Sequence, residues 1–288
     1  MERRTRNKAE RSTVLSVYSK KQIRRVYLLD DKSPFSVVEA FRNIATNLSF
    51  SCPKPEDGGA RKIFMSSSNP AEGKTTVVVN LAYTLAKSKA KVLLIDCDLR
   101  KPRINRYFGV ERHPGISDFV SGQDIDETKL VHRTHIEGLD IITSGTIPPN
   151  PIELLTSKMM EKTLEVFSKE YDYILFDTPP INHVADTLAL APLTDGGILV
   201  IRAKQSNHTC LAETLRQLEF VGCKIFGTIL NGQDEKESGY GYKRYGYGRK
   251  YKYYYYKKEY KYADSNADLE EESKEIKEST RKKNSLLK

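Results

Sequence analysis

Ser66–Thr76 reads SSSNPAEGKTT, directly after the apolar run Ile63–Met65 and directly before a helical pattern. A strand, a glycine-bearing loop and a helix in that order make a phosphate-binding loop. Gly73 lets the backbone approach phosphate oxygens. The loop amides and the helix N-terminus supply donors and a partial positive charge. Lys74 suits β- and γ-phosphate oxygens, the Thr75 hydroxyl suits Mg²⁺, and Thr76 belongs to the same nucleotide-binding set. Ser68 stands where such loops usually have their first glycine.

Two segments downstream strengthen this reading. Val92–Asp98 (VLLIDCD) is an apolar strand ending in two carboxylates, and Tyr173–Pro180 (YILFDTPP) is another ending in Asp177. In α/β sheets, ligands bind at the carboxyl ends of strands. A single Asp there reads as the cap of the next helix. Three acids on two strand ends, beside a phosphate loop, point to a site. Asp177 suits an acid that holds Mg²⁺ through water. Asp96 and Asp98 straddle Cys97; one serves as a base while the other positions the metal. Cys97 reads as a small buried filler.

Further β-rich runs lie at 62–66, 139–143, 197–201 and 226–230. Several are apolar throughout, as strands buried on both faces are. Between them are helical patterns: Val79, Ala82, Tyr83 and Ala86 fall at i, i+3, i+4, i+7, and Ser36–Ser49 is amphipathic. This alternation predicts an α/β fold, a mostly parallel sheet with helices on both faces.

The chain has 288 residues, 39% hydrophobic and 30% charged, which leaves part of the length as tail. Residues 1–27 carry net charge +7 and residues 240–262 again +7, around a mildly acidic body. Such arms suit acidic partners. From Gly232 to Tyr262 there is no Ala, Val, Ile, Leu or Met, so a disordered tail is expected. The expected organisation is a basic arm at 1–33, a nucleotide-binding domain at 34–231 and a tail at 232–288. The four cysteines have no metal or redox spacing. No run approaches the roughly 18 apolar residues of a membrane span, and no signal peptide is expected.

The loop, VLLIDCD and YILFDTPP resemble the Walker A, A′ and B motifs of the deviant P-loop ATPases. Partition and division-site members of that group carry a signature lysine five residues before the loop lysine; here the position is Asn69. The departure fits the bacterial tyrosine kinases of capsule and exopolysaccharide synthesis. DLRKPRI (Asp98–Ile104) resembles that family's continuation of Walker A′, and SGTIPPNPIELLTS (Ser144–Ser157) resembles its GxxPPNPxELLxS segment. The tyrosine-rich tail is similar to the family's. The likeness covers roughly residues 34–231, plus the tail by composition.

The resemblance implies ATP and Mg²⁺, with Lys74 and Thr75 as their contacts, Asp98 and Asp177 organising Mg²⁺, and Asp96 accepting the tyrosine proton. Asn231 resembles the family's asparagine near the adenine; a strand-end turn residue is an equal reading. Arg100, Lys101 and Arg103 either steady phosphates or a tyrosine substrate, or are solvated surface. The family's E-x-x-R-x-x-R helix motif assembles kinase rings; here Glu39 and Arg42 match but Ala45 replaces the second arginine. Half the ionic contacts of such a homo-oligomer are therefore missing.

The implied acceptors are Tyr240, Tyr242, Tyr245, Tyr247, Tyr251, Tyr253, Tyr254, Tyr255, Tyr256, Tyr260 and Tyr262. The resemblance favours transfer in trans and a split arrangement: a cytoplasmic kinase at the inner face of the plasma membrane. Its partners would be a membrane-anchored adaptor of the polysaccharide co-polymerase type and an opposing tyrosine phosphatase. No nucleic acid is expected. The competing reading is a positioning-type ATPase whose tail binds nucleic acid or a membrane surface. Asn69 weighs against it, and PPNPIELL weighs for the kinase.

Overall fold

The computed structural model describes residues 28–30 and 32–233. The basic arm through Tyr27, nearly all of the expected tail and its tyrosine cluster lie outside the described residues.

Helix α1 (Phe35–Ser51) leads into strand β1 (Arg61–Ser67), helix α2 (Lys74–Lys87) and strand β2 (Val92–Asp96). Three short helices follow, α3 (Ile104–Phe108), α4 (Ile116–Val120) and α5 (Glu127–Leu130). Then come β3 (His132–Arg133), β4 (Leu139–Ile142), α6 (Pro151–Leu155), α7 (Lys158–Ser168) and β5 (Tyr173–Asp177). The last elements are α8 (Asp186–Leu190), a 3₁₀ turn (Ala191–Leu193), β6 (Gly196–Arg202), α9 (His208–Phe220) and β7 (Ile225–Asn231). The strands form one seven-stranded sheet in the order β3-β4-β2-β5-β1-β6-β7. All pairings are parallel except β3 with β4.

Strand side chains alternate between two cores, as the period of two requires. Ile63 and Met65, Leu94, Ile141, Leu175, and Ile198 with Val200 face α1 and α2. Phe64, Leu93 and Ile95, Ile142, Ile174 with Phe176, and Leu199 face the side of α4–α9. Burial on both faces is why these strands read as unbroken apolar runs.

Helix α2 departs from its amphipathic expectation. Val77 through Ala82 are all buried, so the helix is enclosed rather than half-exposed. Helix α1 supplies the extra cover, through Ala45 and Leu48. The chain also contributes before Pro34: Leu29 is 6% exposed, and its amide donates to Asn80 Oδ1 of α2 at 2.7 Å. The described domain thus starts earlier than the boundary expected at 34.

In α1, Arg42 pairs with Glu39 at 2.6 Å on the surface, while Ala45 is packed against the core. A long cation at position 45 would have to leave that core, so alanine fits the packing there. Short β3, with only two residues, gave no periodic signal.

Phe64 of β1 lies opposite Gly197 of β6 in register, and a Cβ on Gly197 would run into the Phe64 ring. We expect Gly197→Ala to destabilise the domain by about 1–3 kcal/mol through overpacking. Adding Phe64→Leu should recover part of the loss, read as denaturant midpoints of both variants.

Candidate active site

The register places Asp96, the last residue of β2, beside Asp177, the last residue of β5. Adjacent strands are about 4.8 Å apart, so the two carboxyls share one end of the sheet. β1 runs alongside β5 and delivers the phosphate loop to the same edge. Gly73 caps α2 at φ 98°, a left-handed conformation that glycine adopts without strain. A Cβ there would also collide with the Asn231 amide.

Lys74 Nζ donates to Asp98 Oδ2 at 2.8 Å and approaches Asp177 Oδ1 at 3.4 Å. Thr75 Oγ1 donates to Asp177 Oδ2 at 2.6 Å. All four residues are held out of solvent. Burial pulls the Lys74 pKa down, but the charges of Asp177 and then Asp98 outweigh it and hold the ammonium above its ordinary value. Burial raises the Asp177 carboxyl, against the Lys74 charge and the Thr75 bond.

Asp96 is wholly buried. Its Oδ2 accepts the Arg103 and Ile104 amides at 3.0 Å each, and its Oδ1 accepts the Asp98 amide at 3.3 Å. The carboxylate therefore caps the start of α3 while it stands in the site. Burial first, then the Asp177 charge, pushes its pKa up to about 7. Asp98 Oδ1 accepts the Lys101 amide at 3.0 Å, closing the turn behind it. Cys97 is fully buried and its thiol is raised well above the ordinary range by burial, in keeping with an inert filler.

Thr76 exchanges a hydroxyl bond with Tyr107 of α3 at 2.7 Å. Asn231 Nδ2 donates to the Glu72 carbonyl at 3.0 Å, which ties the end of β7 to the phosphate loop. Lys101 and Arg103 are exposed. Arg100 behaves differently: its guanidinium forks onto Asp186 at 2.8 and 2.9 Å.

Three residues were not singled out in the sequence. Glu72 is buried, and its carboxylate accepts the Asn69 amide at 3.0 Å and the Ser206 hydroxyl. Tyr107 and Asp186 act through partners 31 and 86 residues away. A groove of about 370 Å³ formed by α8 and α9, lined by Leu188, Arg216 and Phe220 among others, contains none of the phosphate-loop residues.

Residues 60–225 match the AAA domain family. The chain is 38% identical over 205 residues to the tyrosine-protein kinase YwqD of Bacillus subtilis, covering 71% of this chain and 85% of that one. This chain belongs to the bacterial tyrosine kinases. Its fold overlays the kinase domain of the Escherichia coli tyrosine kinase ETK with a TM-score of 0.66 at 32% identity, covering 77% of this chain and 87% of that one. It is also 37% identical over 222 residues to EpsB of Ralstonia solanacearum, across 76% of this chain but only 29% of that longer relative. The family's P-loop architecture is a nucleotide-binding one. Family membership sets aside the positioning-ATPase alternative.

The donor set fits a nucleotide with Mg²⁺. One ammonium faces three carboxylates, and Thr75 adds a hydroxyl: hard oxygen ligands, few enough for an ion that keeps several waters.

Raised carboxyl pKa values mean that the native state holds protons more tightly than the unfolded chain. Stability then falls as pH rises from about 4 through about 7, the interval between the unfolded and folded values for Asp96. In nucleotide- and metal-free buffer, Asp96→Asn should flatten that fall. Melting curves at stepped pH check it; an unchanged slope would count against the raised Asp96–Asp177 pair.

Proposed function

We propose that this chain is an ATP-dependent protein-tyrosine kinase that phosphorylates its own C-terminal tyrosine cluster and thereby regulates capsule or exopolysaccharide synthesis. The observation that carries the reading is the convergence of Lys74, Thr75, Asp98 and Asp177 at one end of the sheet. Phosphoryl transfer needs positioning and charge neutralisation more than covalent catalysis.

The γ-phosphoryl group moves from ATP to a tyrosine oxygen, the phenolic proton goes to a carboxylate, and ADP leaves. Lys74 turns from the carboxylates to the phosphate oxygens, and the Gly73 loop amides bind the same phosphates. Thr75 with Asp98 and Asp177 would hold Mg²⁺, which would supply further neutralisation of the phosphate charge. Thr76 and Asn231 complete the nucleotide side. Asp96 and Asp98 divide the remaining work. Asp96 has the proton affinity of a base near neutral pH, since a catalytic pKa close to the working pH is the most effective. Asp98 holds Lys74 in the nucleotide-free site and would hold the metal once nucleotide is bound.

The eleven tyrosines of 240–262 supply the acceptors. That segment starts at +7, and each phosphotyrosine adds about −1.5 to −2, so about four phosphates neutralise it. The unmodified tail is drawn to the carboxylate-lined site of a neighbouring copy, and the phosphorylated tail is repelled. Among the described residues no helix is long and apolar enough to cross a membrane. A membrane-anchored adaptor of the co-polymerase type would bring the kinase to the inner face of the membrane and activate it, with a tyrosine phosphatase resetting the tail.

Lys74→Met should abolish tail phosphotyrosine after incubation with Mg-ATP while leaving the melting temperature of the domain measurable and cooperative. Mass spectrometry of wild type should place the modification mainly in Tyr240–Tyr262. Undiminished labelling in the variant would sink the kinase assignment.

A further inference from the structure

Arg100 has the appearance of a phosphate contact in the sequence, two residues after Asp98. The structure gives its guanidinium another task. Nε and Nη2 donate to the two oxygens of Asp186 at 2.8 and 2.9 Å, a bidentate fork. Asp186 is fully buried, whereas the Arg100 side chain is 43% exposed. Among the described residues Arg100 is the cation that compensates the Asp186 charge.

The two ends of this fork belong to the two halves of the site. Arg100 lies on the turn that Asp98 closes by accepting the Lys101 amide. Asp186 lies nine residues beyond Asp177, at the start of α8. Its side of the fork is rooted in the sheet. The Thr178 amide donates to the Met65 carbonyl at 3.1 Å, and the Ile181 amide to the Ser67 carbonyl at 2.9 Å. The adjacent Thr187 is fully buried and donates to the Pro179 carbonyl at 2.8 Å. The Asp98 turn is held on its near side by the Cys97 amide on the Asp177 carbonyl at 2.8 Å, by Lys74 on Asp98 and by Asp96; the fork adds a side-chain tie from its far side to α8.

We propose that Arg100 and Asp186 form a positioning pair that fixes the Asp98-bearing turn against the segment following Asp177 for phosphoryl transfer. The pair touches neither the phosphate loop nor Lys74. Its loss therefore lets Asp98 drift from its working place while the cradle for the nucleotide persists. A displacement of about 1 Å at a reacting centre costs on the order of 100-fold in rate. The effect belongs to the chemical step and not to nucleotide affinity. This inference rests on the kinase reading given above.

The test uses the full chain. Arg100→Lys keeps the charge but loses the planar fork, and Asp186→Asn keeps the shape but loses the charge. Both should lower the rate of tail phosphorylation about 10- to 100-fold, with the Kd for a fluorescent ADP analogue, measured in metal-free buffer, unchanged. The double variant Arg100→Met/Asp186→Leu separates positioning from stability. Removing both charges at similar volume should restore the melting temperature, because replacing a buried ion pair by apolar groups is often neutral or stabilising. The rate should stay low.

Wild-type rate in a double variant with wild-type melting temperature would overturn the proposal, since the pair would then be a structural fork only. A nucleotide Kd that weakens in Arg100→Lys as much as the rate falls would also overturn it, by placing Arg100 on the nucleotide. Should the double variant melt early, the split between rate and Kd in Arg100→Lys decides alone. Absence of phosphotyrosine in wild type would refute the kinase reading separately; the same variants are then scored by Mg-ATP hydrolysis, with the same two outcomes.

Discussion

One ammonium group stands among three carboxylates at the carboxyl end of the sheet, and most of the fold can be derived from what that requires. Lys74 is bonded to Asp98 and close to Asp177, with Asp96 one strand away. Charges this deeply buried are tolerated only when paired and hydrogen-bonded. The sheet order meets the demand by setting β2, β5 and β1 side by side, so that two strand ends and the phosphate loop meet without long connections. Backbone amides from Asp98, Arg103 and Ile104 satisfy Asp96, and a threonine hydroxyl satisfies Asp177. What remains is an excess of negative charge, three carboxylates around one ammonium.

Asp96 shows how one residue answers to two readings. Its capping of α3 is the ordinary fate of an aspartate after a strand. The same bonds hold the Asp98 amide, so the cap is also part of the site's framework. Capping α3 and standing in the site are compatible here because a carboxylate has lone pairs to spare.

The sheet was legible in the sequence because its strands are buried on both faces, and apolar runs such as Val92–Ile95 and Ile174–Phe176 admit little else. Lys74 and Thr75 stood out by their place in the loop, and Asp98 and Asp177 as carboxylates at the ends of apolar strands; the structure brings the four together. What escaped was of two kinds. The pieces α3 to α6 and β3 are two to five residues long, too short for either period to register. The pairs Tyr107–Thr76, Glu72–Ser206 and Arg100–Asp186 join residues far apart in the chain, and nothing local marks that the two partners meet. The boundary at residue 34 followed the extent of the family resemblance and missed Leu29, whose partner lies 51 residues on.

That last contact changes what counts as the enzyme's minimal unit. Asn80 accepts the Leu29 amide and donates to the Thr76 carbonyl at 2.9 Å, inside the helix that begins with Lys74. The entry of the chain is thus a strap fastened to the phosphate-loop helix. A truncation beginning at Pro34 would look clean by composition, yet it would take a donor from Asn80 and the cover of Leu29 from α2.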